Sequence, residues 1–138
     1  MGQRREAREV VLNSLYFFEM TGENTDCLLQ NIRNNAELSK ETKDYAQRLL
    51  EATMHHLRDT DIILMEIIQN WDFQRVAIID RSILRFSATE ILYFPDIPVK
   101  VSIDEAIEIA KMYSTENSGK FVNGILDEIA RRENLIEK

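Results

Sequence analysis

The chain has 138 residues, of which 44% are hydrophobic and 30% charged, with a formal net charge of −7. That length fits one domain able to bury a core without disulfides or a structural metal, and a single cysteine, Cys27, excludes an internal disulfide framework. The acidic balance excludes a generic nucleic-acid coat, so any RNA contact must use a local basic edge, while the acidic body suits a basic protein partner.

No apolar run reaches the about 18 residues of a membrane-spanning helix. Met1 to Arg5 is not followed by an apolar segment, so no secretory signal is expected. Gly2 is followed by Glu6 where a myristoylation motif wants Ser or Thr. A cytoplasmic location is the resulting expectation. With four glycines and two prolines, and no hairpin signal between alternating apolar runs, the expected fold class is all-α. It should be a compact helical bundle of about six to seven helices in two packed subdomains.

The first helix should run from about Gln3 to Met20, with Ala7, Val11, Leu15 and Phe18 on its buried face. Gly22 sits where a C-terminal stop belongs. A short helix follows over about Thr25 to Ala36. Ser39 opens a long pattern, Glu41 to Leu57 and Asp59 to Trp71, either continuous or broken once. From Phe73 to Phe94 apolar residues fall on more than one side, the mark of a central helix. Pro95 and Pro98 end it. Ser102-Ile103-Asp104-Glu105 reads as a capping box opening a helix to about Tyr113. Ser114 to Ser118 reads as a turn, and the last helix carries Phe121, Val122, Ile125, Leu126 and Ile129. The two halves divide near Trp71, about 1–71 and 72–138, sharing a core within one domain of residues 1–138.

Catalytic chemistry is hard to assemble from this chain, and neither an enzyme nor a cofactor is expected. His55 and His56 are adjacent on a helix, about 100° apart, so they do not easily serve one metal. Glu105 and Glu108 share a helix face, but acid–base work needs burial and shifted pKa values. Ser118-Gly119-Lys120 lacks the upstream glycine of a phosphate loop, because Ser114 stands there.

Two segments look like binding surfaces. Arg4, Arg5 and Arg8 cluster at the start of the first helix, and Tyr16 lies two turns on, within about 80° of Arg8 on the helical wheel. Arginines beside an aromatic ring can hold a phosphate chain while a base stacks. The alternative is a solvated face compensated by Glu6 and Glu9. The second segment is Asn117-Ser118-Gly119-Lys120-Phe121-Val122-Asn123-Gly124, a polar turn feeding a helix start that favours an anion. Phe121 is either a stacking ring or core. Gly124 inside a helix calls for close backbone packing as compensation.

These segments together resemble the NusB family of transcription antitermination factors. The resemblance runs from Arg4 to about Ala130. It rests on Arg4-Arg5-Glu6-Ala7-Arg8-Glu9 with Leu15-Tyr16, on Asp80-Arg81-Ser82-Ile83-Leu84-Arg85, on Ile97 to Lys111, and on Phe121-Val122-Asn123-Gly124-Ile125-Leu126-Asp127. It implies a factor that binds boxA RNA of ribosomal RNA transcripts together with the small-subunit ribosomal protein NusE, and that joins an antitermination complex on RNA polymerase. It implies an RNA surface of Arg4, Arg5, Arg8, Tyr16, Lys120 and Phe121, bordered by Asn117 and Asn123. Asp80 matches an acidic position facing the ribosomal protein, with an internal salt bridge as the alternative. Glu6 stands where members often carry a third consecutive arginine, and Glu19 where others can carry a neutral polar residue near the RNA. A similar module occurs fused to RNA cytosine methyltransferases, but that activity is not expected here. The competing functional reading is a helical protein–protein adaptor without sequence-specific RNA binding. The apolar run Tyr16-Phe17-Phe18 beside the arginines raises a homodimer that covers the arginine face.

Overall fold

A computed structural model describes residues 2–68 and 73–134 of the chain. Among these residues there are seven α-helices: α1 (Gly2–Thr21), α2 (Thr25–Arg33), α3 (Lys40–His55), α4 (Leu57–Ile67), α5 (Ile78–Tyr93), α6 (Val99–Tyr113) and α7 (Glu116–Arg132). A single 3₁₀ turn, Phe73–Arg75, precedes α5. The expected division at Trp71 lies outside the described residues.

Local chemistry explains most helix ends. Asn24, Ser39 and Thr115 each accept a hydrogen bond from the backbone N–H three residues on, capping α2, α3 and α7. Gly22 ends α1 at φ +73°, with its N–H on the Phe18 carbonyl, a conformation that glycine adopts without steric penalty. The long pattern after Ser39 breaks once, at His56, into α3 and α4.

The proposed capping box at Ser102 is not formed. Helix α6 starts four residues earlier, behind Pro98, whose carbonyl accepts from the N–H groups of Val101 and Ser102. Proline sets φ near the helical value and has no N–H to leave orphaned. Ser102 is thereby placed one turn inside the helix, where its hydroxyl donates to Glu90 on α5. Glu105 is occupied by Arg5 of α1. Tertiary partners claimed both side chains.

Helix α5 is the centre, as the apolar run predicts. It packs against α1, α3, α4, α6 and α7, and every residue from Asp80 to Ile91 is buried. One hydrophobic cluster contains side chains from all seven helices. The compensation expected at Gly124 is absent, because a Cβ there would have nothing within 4 Å. Close approach occurs instead at Gly119, where a Cβ would stand 3.3 Å from Lys111 Cγ and 3.6 Å from Ile107 Cγ2. Gly119 thus lets the first turn of α7 lie against α6.

Candidate RNA-binding edge and partner hollow

A central helix that is buried all round must neutralise any charge it carries, and α5 carries Asp80, Arg81, Arg85 and Glu90. Each is met by another element. Glu90, 1% exposed, accepts from four donor atoms. Arg8 supplies Nε at 2.8 Å and Nη2 at 3.2 Å, Tyr45 its hydroxyl at 2.7 Å, and Ser102 its hydroxyl at 2.7 Å. Burial, with the Glu90 carboxylate beside it, pushes the Tyr45 phenol well above its ordinary pKa.

This arrangement alters the expected role of Arg8. Its side chain is 3% exposed and fixed on Glu90, so it presents no guanidinium to a phosphate in this structure. A buried carboxylate outcompeted solvent for it. Arg5 is half-buried and forms a two-pronged pair with Glu105, at 2.7 and 2.8 Å. The Arg5 hydrogen bond holds the Glu105 carboxyl below its ordinary range. Glu108 lies 3.6 Å from Lys111. Both carboxylates of the candidate acid–base pair therefore face cations.

Arg4 differs from its neighbours. It is exposed, its guanidinium lies 4.2 Å from the Tyr45 ring centroid, and among the described residues it forms no ion pair. With Gln3, Glu41, Asp44 and Arg48 it lines a hollow of about 420 Å³ over Tyr45. Tyr16 is 43% exposed, with Phe17 and Met20 also open beside it. Phe18 turns inward against the core.

Helix α6 joins the two predicted segments. On one side Glu105 meets Arg5 and the Tyr113 hydroxyl donates to Glu9 of α1 at 2.7 Å. On the other, Lys111 and Ile107 pack on Gly119 of α7. Asn117, Lys120 and Asn123 are exposed on α7. Phe121 is half-buried, packed on the core while lining a second hollow.

That second hollow, about 290 Å³, lies between the starts of α5 and α7 and is lined by Arg75, Val76, Ala77, Asp80, Asn117, Ser118 and Phe121. It gathers three residues that the sequence pointed to from different segments: Asp80, Asn117 and Phe121. Asp80 is 8% exposed. Its Oδ2 accepts from the Ser118 hydroxyl at 3.0 Å, and its Oδ1 is buried with no hydrogen-bond partner. No basic side chain pairs with Asp80 among the described residues, so the internal salt bridge considered for it is not formed.

Tyr45 and Glu90 are not singled out in the sequence, and Ser102, Glu19, Arg81 and Arg85 are noted there without the buried partners they take. The signal available was charge inside an apolar helix, since Arg81, Arg85 and Glu90 must find buried partners. His55 is exposed and His56 stacks on Tyr93 at 3.6 Å. Among the described residues no cluster of His, Cys, Asp and Glu could hold a metal ion, and no helix is long and apolar enough to cross a membrane.

An all-helical domain whose central-helix residues Arg81, Arg85 and Glu90 are held in ion pairs, with an open arginine–aromatic edge and a hollow lined by Asp80, has the build of a binding module. The chain belongs to the NusB family, whose model matches residues 5–131, and this is a family of antitermination factors and not of enzymes. It is 45% identical to the transcription antitermination protein NusB of Salinibacter ruber over 130 residues, covering 94% of this chain and 81% of that protein. Among solved structures, T. maritima NusB superposes with a TM-score of 0.85 at 40% identity, covering 93% of this chain and 90% of that one. A structure of the antitermination factors NusB and NusE in complex with double-stranded RNA matches at TM-score 0.85 and 25% identity, covering 96% and 98%.

Proposed function

We propose that this NusB-family chain works as one RNA-binding unit. It takes up boxA RNA of ribosomal RNA transcripts on the edge formed by α1 and the start of α7, and binds NusE at the Asp80 hollow. In that form it joins an antitermination complex on RNA polymerase in the bacterial cytoplasm. A lone cysteine is consistent with that reducing compartment. The relative solved with NusE and double-stranded RNA supports both partners.

The observation that carries the RNA half is Arg4. It is an exposed guanidinium held over the Tyr45 ring, with no hydrogen bond or ion pair among the described residues. Tyr16 and Phe121 offer rings for bases, and Lys120, Asn117 and Asn123 offer polar contacts from α7. Arg5 and Arg8 act at one remove, because Glu105 and Glu90 already hold them. Two of the three clustered arginines are thus neutralised, which keeps the adaptor reading in view. The test is a boxA titration of the Arg4→Ala variant across salt concentrations. The expected result is weaker binding and a salt slope reduced by about one, as for a lost phosphate contact. Unaltered affinity and slope, with boxA bound no better than scrambled RNA, would favour the adaptor.

For the protein partner, Asp80 brings a carboxylate to the hollow, and the walls of Val76, Ala77 and Phe121 suit the apolar stem of a basic side chain. Tyr16, Phe17 and Met20, at 43%, 41% and 59% exposure, also make the RNA edge sticky enough for a homodimer that competes with RNA. Light scattering with and without RNA reads this directly, since RNA should lower the mass of the protein component.

A further inference from the structure

Arg81 is 5% exposed and does not itself line the hollow beside Asp80, yet its guanidinium holds the backbone that does. Its Nη1 converges on three carbonyls, those of Val76 at 2.9 Å, Gln74 at 3.3 Å and Phe73 at 3.4 Å. These belong to the 3₁₀ turn and the residue after it, the segment that supplies Arg75, Val76 and Ala77 to the rim. The turn is only three residues long, so few of its carbonyls can be satisfied within it. On the opposite side Nε donates to Glu19 Oε1 at 2.7 Å, and Nη2 lies 2.7 Å from the same atom.

Glu19 is itself anchored. Arg85 reaches the same oxygen at 2.8 Å while gripping Asp61 of α4 at 2.9 and 3.0 Å. The carboxylate therefore cannot swing away from Arg81 without breaking a second ion pair. Glu19 lies three residues past Tyr16, on the same helix as Arg4. One guanidinium thus ties the RNA-facing helix to the rim of the partner hollow. A planar fork of five donors can bridge a carboxylate and several carbonyls at once, whereas a lysine ammonium cannot span both sides.

We propose that Arg81 is the positioning residue of the partner hollow: it fixes the Arg75–Ala77 rim opposite Asn117 and Phe121, with Glu19 of α1 as its anchor. This rests on the reading of the Asp80 hollow as the NusE site. Arg81 never meets the partner, and it acts through the backbone it holds.

The experiment uses the full chain and measures two affinities for each variant, one for NusE and one for boxA RNA in the absence of NusE. Arg81→Lys should weaken NusE binding about tenfold, the scale of hydrogen bonds lost from a charged donor, while RNA affinity stays within about twofold. Glu19→Gln, a milder change of the same contact, should weaken NusE in the same direction. Backbone amide exchange at Val76 and Ala77 should accelerate in both variants while α5 amides keep their protection. If Asp80→Asn weakens NusE but Arg81→Lys and Glu19→Gln do not, the positioning role is overturned and the docking reading stands. If Asp80→Asn leaves NusE binding intact, the docking reading fails and this proposal falls with it. If Arg81→Lys lowers both affinities and the α5 protection together, Arg81 is only a fold residue and the proposal is overturned.

Discussion

Arg8 and Glu90 form a pair whose side chains are 3% and 1% exposed. In a site of that kind a missing partner leaves an uncompensated buried charge, which costs more than the pair contributes. Arg8→Met should therefore lower the free energy of unfolding by about 3–5 kcal/mol, measured by urea denaturation. A loss below about 1 kcal/mol, the scale of an exposed pair, would mean that the pair is solvated after all. The exposed pair Lys40–Asp44 is the control. Removing Lys40 should change stability by no more than a few tenths of a kcal/mol, as is usual for an exposed i,i+4 pair. In Arg8 the arginine-rich start of the chain was legible. Which arginine stays outside was not, because burial depends on Glu90, 82 positions away.

At the scale of elements, the two glycines of α7 behave oppositely. Gly124 has open space where a Cβ would go, so Gly124→Ala meets no clash and gains helix propensity. It should stabilise the protein by about 0.5–1 kcal/mol, read as a melting temperature higher by about 2–4 °C. Gly119→Ala must push Lys111 Cγ aside from 3.3 Å, which should offset the same propensity gain, and Gly119→Val should destabilise. The clamp between α1, α4 and α5 gives a pH dependence. Burial pushes the Glu19 carboxyl up, but the Arg81 hydrogen bond and the nearby Arg85 charge outweigh it and hold the acid below its ordinary value of 4.5. A carboxyl with a depressed folded pKa stabilises the fold above its unfolded value, and that contribution is lost as pH falls through the folded value. Stability should thus begin to drop near pH 4.5, and Glu19→Gln should flatten the drop in denaturation midpoints taken across that range. A Gln variant that loses stability as steeply as the parent would assign the acid sensitivity elsewhere.

Across the whole molecule, the charge of −7 and an RNA edge are compatible because the two occupy different scales. Among the described residues most cations are paired internally, for example Arg5 with Glu105, Arg81 and Arg85 with Glu19, Arg48 with Asp96, and Arg132 with Glu66. Few basic groups remain for phosphates, Arg4 and Lys120 being the open ones on the proposed edge. The salt dependence of RNA binding should therefore be shallow for the isolated chain, a slope of only about −1 to −2 on double-logarithmic axes, since each phosphate contact adds somewhat under one unit. A slope near −6 would require the buried arginines to open onto the RNA. NusE, as a second protein in the complex, is then where much of the remaining affinity would come from.

The number of helices, the central position of α5 and most helix ends are determined by the sequence itself, because helical periodicity, prolines and capping side chains act over a few residues. The residues proposed for the RNA edge are picked out there too, as residue types and motifs. Tertiary structure alone decided how those residues are used. Ser102 and Glu105 cap nothing because Glu90 and Arg5 reach them first. Arg8 is buried and Arg4 is open, although they are one helical turn apart. Asp80, Asn117 and Phe121 share one hollow only because α7 starts beside α5. The physical reason is the same in each case. A charged or hydroxyl side chain goes to the partner that best replaces water, and that partner is set by packing between helices distant in the chain.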